Sequence, residues 1–157
     1  MKLALGRALF VQGGARAEIP VVEDDGAKLK FNPFANVSRE EIEALIAAEM
    51  ADILGKTADP ATCEGSAARL SADAWALDAM VDLAFCKAAA GRMGEADDDF
   101  SRLLAYTPDN YEALTGRGLI ALARGDRARG LDLLQEALNA LPPIAESDRI
   151  AEAMARY

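Results

Sequence analysis

Histidine is absent from this sequence of 157 residues. It is the commonest general base near neutral pH and the commonest side-chain ligand of metals, so its absence excludes the usual catalytic triads and most zinc or iron sites. The phosphate-binding patterns GxGxxG and GxxxxGKS/T do not occur either. We therefore expect a protein that is not an enzyme and that uses no metal and no cofactor.

Cysteine and aromatic residues are scarce. The two cysteines, Cys63 and Cys86, are far apart in sequence and form no CxxC motif. A disulfide between them is one alternative, but we favour two buried or inert thiols. A catalytic thiol is not expected, because no histidine is present to activate either cysteine. Aromatic residues make up 6% of the chain, whereas alanine, the strongest helix former, is abundant. This composition predicts an all-α protein with closely packed helices.

Long apolar runs are also missing. No stretch approaches the ~20 apolar residues of a membrane-spanning helix. The first residues, with Ala15-Arg16-Ala17 as a small-x-small site, faintly resemble a secretory signal, but Arg7 and Gly13-Gly14 interrupt the apolar stretch. We expect no membrane insertion and a cytoplasmic location, with the periplasm as the alternative.

Negative charge is concentrated after the first 37 residues. The formal net charge is −9, and residues 38–157 contain twelve basic and twenty-two acidic side chains. Such a surface repels the phosphates of nucleic acids and of anionic lipids. The charge therefore favours a neutral or basic protein or peptide as the partner, although many of these side chains also serve solubility.

The most informative feature is a period of 34 residues. Gly91 and Gly125 are separated by this interval, and so are Pro108 and Pro142. Further pairs agree in the same register: Phe100 with Leu134, Leu103 with Ala137, Leu104 with Leu138, and Ala84 with Gly118. Repetition at this spacing indicates stacked helical units.

Each unit is predicted to contain two helices. The first unit comprises residues 75–90, with Trp75 as a core or inter-repeat anchor, and residues 94–106. In the second unit, Asp109 is expected to cap a helix that ends at Gly125, and the partner helix occupies residues 127–140 before two prolines end it. The apolar positions of that partner helix are Leu131, Leu134, Ala137, Leu138 and Leu141.

These residues make the chain resemble the tetratricopeptide repeat (TPR) family over residues 77–142. The matching positions are Gly91, Ala96, Phe100 and Pro108 in the first unit, and Leu114, Gly118, Gly125, Leu134, Ala137 and Pro142 in the second. Met80, Lys87 and Gly130 depart from the family pattern. The resemblance implies an all-α, right-handed superhelix of antiparallel helix pairs.

Capping signals extend the helical prediction towards the N-terminus. Ser38 with Glu41 has the pattern of a capping box, before a helix that ends at Gly55. Asp59-Pro60 then predicts a short helix. Because Gly55 precedes Gly91 by roughly one repeat, we interpret residues 39–71 as a degenerate third unit.

The two ends of the chain are predicted to differ. Residues 145–156 form an amphipathic capping helix with Ile150 and Met154 inward, so the helical domain spans residues 38–157. Residues 1–37 form an N-terminal arm. It is either a hairpin around Asp25-Gly26 or an extended segment.

The resemblance also implies the function, which is protein–protein interaction. In the TPR family, the first helix of each unit lines a concave surface that holds a partner peptide or helix. Carried over by register, the partner-binding positions are Asp78, Val81, Phe85, Glu112, Thr115 and Leu119. The competing interpretation is that the C-terminal helix, residues 145–156, fills this short groove.

Two other functions remain open. One is self-assembly into a homo-oligomer through the N-terminal arm or a repeat face. The other is an accessory domain, because the high alanine content and the Leu-Pro-Pro segment resemble repeat domains of bacterial cytochrome c maturation factors. The acidic run Asp97-Asp98-Asp99 is interpreted as a solvated helix face, since no calcium-loop pattern surrounds it.

Overall fold

The structure, a computed structural model, describes residues 36–157. These residues form seven α-helices and no strand, which confirms the all-α prediction for this part of the chain. The helices are α1 (Arg39–Leu54), α2 (Pro60–Ala72), α3 (Leu77–Ala89), α4 (Met93–Tyr106), α5 (Tyr111–Ala123), α6 (Arg127–Asn139) and α7 (Ile144–Arg156). None of them is long and apolar enough to cross a membrane. The predicted arm lies outside the described residues, apart from Asn36 and Val37.

The first two helices begin at the capping signals of the sequence. The Ser38 hydroxyl accepts the Glu41 N–H at 3.1 Å, and the Ser38 N–H donates to the Glu41 carboxylate at 3.4 Å, which completes the predicted capping box. α1 ends at Gly55, whose φ of 64° is a left-handed conformation that glycine adopts without strain. Asp59 caps α2 by accepting the Thr62 N–H at 3.1 Å.

The predicted cap of α5 was wrong by one residue. The side-chain oxygen of Asn110, not of Asp109, accepts the Ala113 N–H at 2.9 Å, and the helix begins at Tyr111. The expected capping box between Asp109 and Glu112 is therefore not formed. This leaves the Glu112 carboxylate free to pair outside its own helix.

Two apolar residues assigned to the core are exposed. α3 begins only at Leu77, so Trp75 lies in the preceding turn, where 64% of its surface is exposed and its ring meets the ring of Tyr106 edge-on at 5.0 Å. Leu141 follows the end of α6 with a φ of 60° and is 85% exposed. Because Leu141 precedes a proline, the helical conformation is disfavoured there and the chain turns away.

The predicted helix pairs α3/α4 and α5/α6 are closely packed. At Gly118 of α5, a Cβ atom would lie 3.0 Å from the carbonyl oxygen of Gly130 in α6 and 3.0 Å from Leu134. At Gly130, a Cβ atom would lie 2.7 Å from Leu122. The two glycines therefore allow α5 and α6 to approach, as predicted for Gly118. Between the pairs, the buried ring of Phe100 occupies the space left by the missing side chain of Gly116.

The acidic run at the start of α4 is only partly a solvated face. Asp98 is exposed, but Asp97 accepts hydrogen bonds from Arg117 at 2.9 Å and from Arg124 at 3.2 Å, both on or next to α5. Asp99 likewise pairs with Lys87 of α3 at 2.6 Å. These carboxylates tie α4 to its two neighbouring helices, so the interpretation of the whole run as solvated was wrong.

The first helix does not form the expected third unit with α2. α1 packs on α3, α5 and α7, whereas α2 packs on α3. The buried face of α1 contains Ile46, Met50, Ile53 and Leu54. This stripe belongs to the same core as the apolar residues of α3 and α5. The packing of α1 across other helices places it on the face that the sequence analysis assigned to a partner.

Few apolar contacts hold α2 to the rest of the helices. Its only fully buried residue is Ser66, whose hydroxyl donates to Asp82 of α3 at 3.4 Å. A disulfide joins Cys63 of α2 to Cys86 of α3, with 6.1 Å between their Cα atoms. The favoured interpretation of two inert thiols was therefore wrong. The disulfide attaches α2 covalently to α3.

Reduction of this disulfide should loosen α2 selectively. The bridge closes a loop with a sequence separation of 23. We expect its loss to lower the free energy of unfolding by about 3 kcal/mol. Urea unfolding with and without dithiothreitol measures this change, and hydrogen exchange should accelerate more in α2 than in α6. A Cys63→Ser/Cys86→Ser variant that is insensitive to the reductant is the control. Unchanged protection of α2 after reduction would contradict the expectation.

Candidate functional site

The candidate site is the face of α3, α5 and α7 on which α1 lies, and we call it the α1 groove. Its residues are Val81, Asp82 and Phe85 of α3, Glu112, Thr115 and Leu119 of α5, and Arg149 of α7. Glu112, Thr115 and Leu119 follow one another at intervals of three and four, so they share one face of α5. The ion pair described below shows that this face is turned towards α1.

The apolar part of the site is fully buried. Ile46 and Met50 of α1 are 0% exposed and Ile53 is 1% exposed. They are spaced four and three residues apart and therefore form a single stripe along one side of the helix. Phe85 and Leu119 of the α1 groove belong to the same core cluster. The site thus accommodates one apolar stripe of an α-helix and excludes water from it.

Lys56, which lies just beyond the C-terminal end of α1, forms ion pairs at one end of the site. The Lys56 ammonium lies 2.9 Å from the Asp82 carboxylate of α3 and 3.2 Å from the Glu112 carboxylate of α5. Partial burial acts to lower the pKa of Lys56, but its hydrogen bond to Asp82 and the charge of Glu112 outweigh the burial, so the pKa lies above its usual value. Lys56 therefore links α1 to both helices of the groove through charge.

The last helix also holds α1. Arg149 of α7 donates two hydrogen bonds to the backbone carbonyl of Ile53, at 3.1 and 3.2 Å. This carbonyl belongs to the last turn of α1, where helix carbonyls lack intrahelical partners and carry partial negative charge. Arg156 pairs with Glu49, one turn earlier. Polar contacts are thus concentrated on the C-terminal half of α1.

The other end of α1 is more open. The pocket beside its first turns has a volume of about 410 Å³, and its walls include Ile42 of α1, Met93 of α4 and Ile120 of α5. Arg39 and Glu40 in the first turn are exposed. Among residues 36–157, α1 therefore has polar contacts with other helices at its C-terminal end and is weakly enclosed at its N-terminal end.

One polar group in the site has no partner among the described residues. Thr115 is 0% exposed, and its hydroxyl makes no hydrogen bond there. Burying a hydroxyl without a partner costs about 1–3 kcal/mol. The α1 groove therefore contains a hydrogen-bonding group that α1 leaves unsatisfied.

The structure brings five of the six predicted partner-binding residues to this site, but not as an open surface. Val81, Phe85, Thr115 and Leu119 are buried, and Glu112 is occupied by Lys56. Asp78 is exposed and faces α2, where it pairs with Arg69 at 2.9 Å. In this conformation no partner can reach the four buried residues. Their partner-binding role therefore stays a prediction that requires α1 to leave.

Sequence reasoning missed three residues of the site. Asp82 lies on the same helix as the predicted positions, but the repeat register did not select it. Lys56 offered a weak signal, because a cation just after a helix is favoured by the helix dipole. Arg149 offered no signal in the sequence, because it contacts Ile53, which lies 96 positions earlier. The competing expectation was that the C-terminal helix fills the groove. The groove is instead occupied by α1, and α7 contributes Arg149 at its edge.

No family model, curated protein or solved structure matches this chain. The likeness to the TPR family therefore remains a resemblance.

The ion pairs of Lys56 predict a pH dependence of stability. Because the folded pKa is raised above 10.5, their contribution is complete below that pH and is lost as the pH rises through the higher folded value. At pH 8, Lys56→Met should lower the free energy of unfolding by about 1–2 kcal/mol. Urea unfolding should show this difference from wild type shrinking above pH 10.5. A difference that persists at a pH near 12 would refute this role for the charge.

The unpaired hydroxyl gives a second prediction. Thr115→Val keeps the shape of the side chain and removes the unsatisfied group, so we expect the free energy of unfolding to rise by about 1 kcal/mol. Thr115→Ser keeps a hydroxyl and removes a methyl group, and should lower the free energy of unfolding. Denaturant unfolding of both variants tests the idea. Destabilisation by valine would mean that the hydroxyl has a partner.

Proposed function

We propose that this protein is a non-catalytic protein-interaction module, and that the α1 groove binds an amphipathic helix of another protein after displacing α1. The observation that carries the proposal is the position of α1. It lies across α3, α5 and α7 rather than beside its neighbour α2. A helix that is held by this groove, and not by a partner in a helix pair, has the geometry of a bound ligand.

Several features of α1 support an exchangeable contact. Its first turn is exposed and borders an open pocket, so separation can begin there. Its contacts leave the Thr115 hydroxyl without a partner. A competing helix that satisfies this hydroxyl would gain a hydrogen bond that α1 lacks. The TPR resemblance of residues 77–142 supports the same surface, because the family binds partners on the first helices of its units.

Because α1 is part of the same chain, it competes with any partner helix for the α1 groove. This competition sets the affinity that a partner must have. A helix attached to the groove through a short linker acts at an effective concentration in the millimolar range. The apparent affinity of an external helix is reduced by the fraction of molecules in which the groove is free. The closed arrangement would therefore reject weak ligands and admit a helix that fits better than α1 does.

Two further properties follow from the described residues. The excess of acidic residues after residue 37 favours a neutral or basic partner. The Cys63–Cys86 disulfide favours the periplasm or another oxidising compartment over the cytoplasm, because disulfides persist where thiols are not kept reduced.

A full-length variant with a weakened α1 tests the proposal. Met50→Glu introduces a carboxylate at a fully buried position, whose charge is costly to desolvate, and should release α1. Ala48→Glu places the same charge on the exposed side of the same helix and is the matched control. The probe is a fluorescent peptide of residues 38–57. We expect it to bind Met50→Glu at least about tenfold more tightly than wild type or Ala48→Glu, as measured by anisotropy.

Circular dichroism must show that Met50→Glu keeps its other helices. If it does not, hydrogen exchange of the wild type decides, because a displaceable α1 should exchange faster than α5. Equal peptide binding to all three proteins would contradict the proposal, and so would equal protection of α1 and α5. A wild-type dimer in light scattering whose α1 helices are exchanged between copies would support self-assembly instead.

A further inference from the structure

The α1 groove contains two carboxylates that need a cation from whatever occupies it. Asp82 and Glu112 come from different helices and converge on the single ammonium of Lys56, at 2.9 and 3.2 Å. Their side chains are only 25% and 23% exposed. Two partly desolvated carboxylates this close repel each other when no positive charge lies between them. An occupant without a basic group would therefore leave this repulsion in place.

The cation occupies a fixed position relative to the apolar stripe. Lys56 follows Ile53 by three residues, Met50 by six and Ile46 by ten. α1 ends before it, and the left-handed Gly55 turns the chain so that Lys56 reaches both carboxylates. The site therefore combines an apolar helix stripe with a positive charge just beyond the C-terminal end of that helix.

Arg149 gives the occupant its direction. It donates two hydrogen bonds to the Ile53 carbonyl, which is one of the unpaired acceptors in the last turn of α1. The reversed helix would present N–H groups at this position, and these cannot accept from a guanidinium group. The acidic pair and Arg149 thus select the C-terminal end of a helix that is followed by a basic residue.

We propose that the partner displacing α1 is an amphipathic helix with apolar side chains at positions i, i+4 and i+7 and a lysine or arginine at i+10, which binds between Asp82 and Glu112. This inference rests on the proposed function, because it specifies the ligand of the same groove. It excludes acidic peptides and helices that end without a cation. α1, with Ile46, Met50, Ile53 and Lys56, is the intramolecular copy of this ligand.

The experiment compares three fluorescent peptides of residues 38–57: the native sequence, Lys56→Ala and Arg39→Ala. Both substitutions remove one positive charge, but among the described residues Arg39 pairs only with Glu43 of its own helix and is 79% exposed. The receptor is the full chain carrying Met50→Glu and Lys56→Ala, so that its own lysine does not compete. We expect Lys56→Ala to weaken binding about tenfold and Arg39→Ala less than about twofold.

Substitution of the receptor gives an independent measurement. Glu112→Gln should weaken the native peptide several-fold and should not weaken the Lys56→Ala peptide, because that peptide has no cation for Glu112 to bind. Asp109→Asn removes an exposed charge near the same helix end and should change neither affinity.

The failures of the two proposals are distinguishable. If the native and Lys56→Ala peptides bind equally well, the groove binds helices but the basic residue is not recognised, and this inference is wrong. If no peptide binds, the proposed function itself fails. If the receptor variant is unfolded, the peptide-binding experiment is replaced by hydrogen exchange on full-length proteins that carry single substitutions. Lys56→Ala should then speed exchange of α1 about tenfold and Arg39→Ala should not. Equal rates would overturn the inference.

Discussion

The burial of one side of α1 against α3 and α5 is the contact on which the helical domain depends most. Ile46, Met50 and Ile53 are withdrawn from water almost completely. Burial of each contributes about 1.5–3 kcal/mol. That sum is comparable with the whole stability of a small domain, about 5–15 kcal/mol. The same contact keeps Phe85 and Leu119 out of water, so the two helix pairs and the first helix form a single core.

α2 is held in the opposite way. It has no buried apolar stripe, and its contacts with α3 include the disulfide, a long hydrogen bond and an exposed ion pair. Ion pairs at such exposed positions contribute little in water. The disulfide thus holds α2 to α3, whereas apolar burial holds α1 to α3 and α5. The two neighbouring helices are therefore held by different means: α1 by apolar burial and α2 by a bond that a reductant can break.

Local features of the fold could be predicted from the sequence, because they depend on neighbouring residues. The capping box at Ser38, the left-handed turn at Gly55 and the close approach at Gly118 all have local chemical causes. The position of α1 could not be predicted in this way. Its apolar stripe indicates that α1 is buried, but not against which helices. The repeat pattern suggested, by analogy with the other two units, that α1 pairs with α2.

The candidate site was predictable only in part. The repeat register identified the face of α5 that contains Glu112, Thr115 and Leu119, because residues at those spacings share one side of any helix. It could not identify Lys56 as the occupant's cation, since that role depends on the position of α1. It also could not pair the cysteines, whose distance depends on the angle between α2 and α3. Two errors, the cap predicted at Asp109 and the core position predicted for Trp75, arise from helix boundaries that differ from the prediction by one or two residues.

The bond between Arg149 and Ile53 joins residues that are 96 positions apart. A ribosome adds about 5–20 residues per second, so the carbonyl of Ile53 exists for about 5–20 seconds before the guanidinium that binds it has been synthesised. During this interval α1 has its apolar stripe but not its complete binding surface. The nascent chain therefore passes through a stage at which α1 lacks its contacts with Arg149 and Arg156. That stage ends when α7 has been synthesised and Arg149 binds the carbonyl of Ile53.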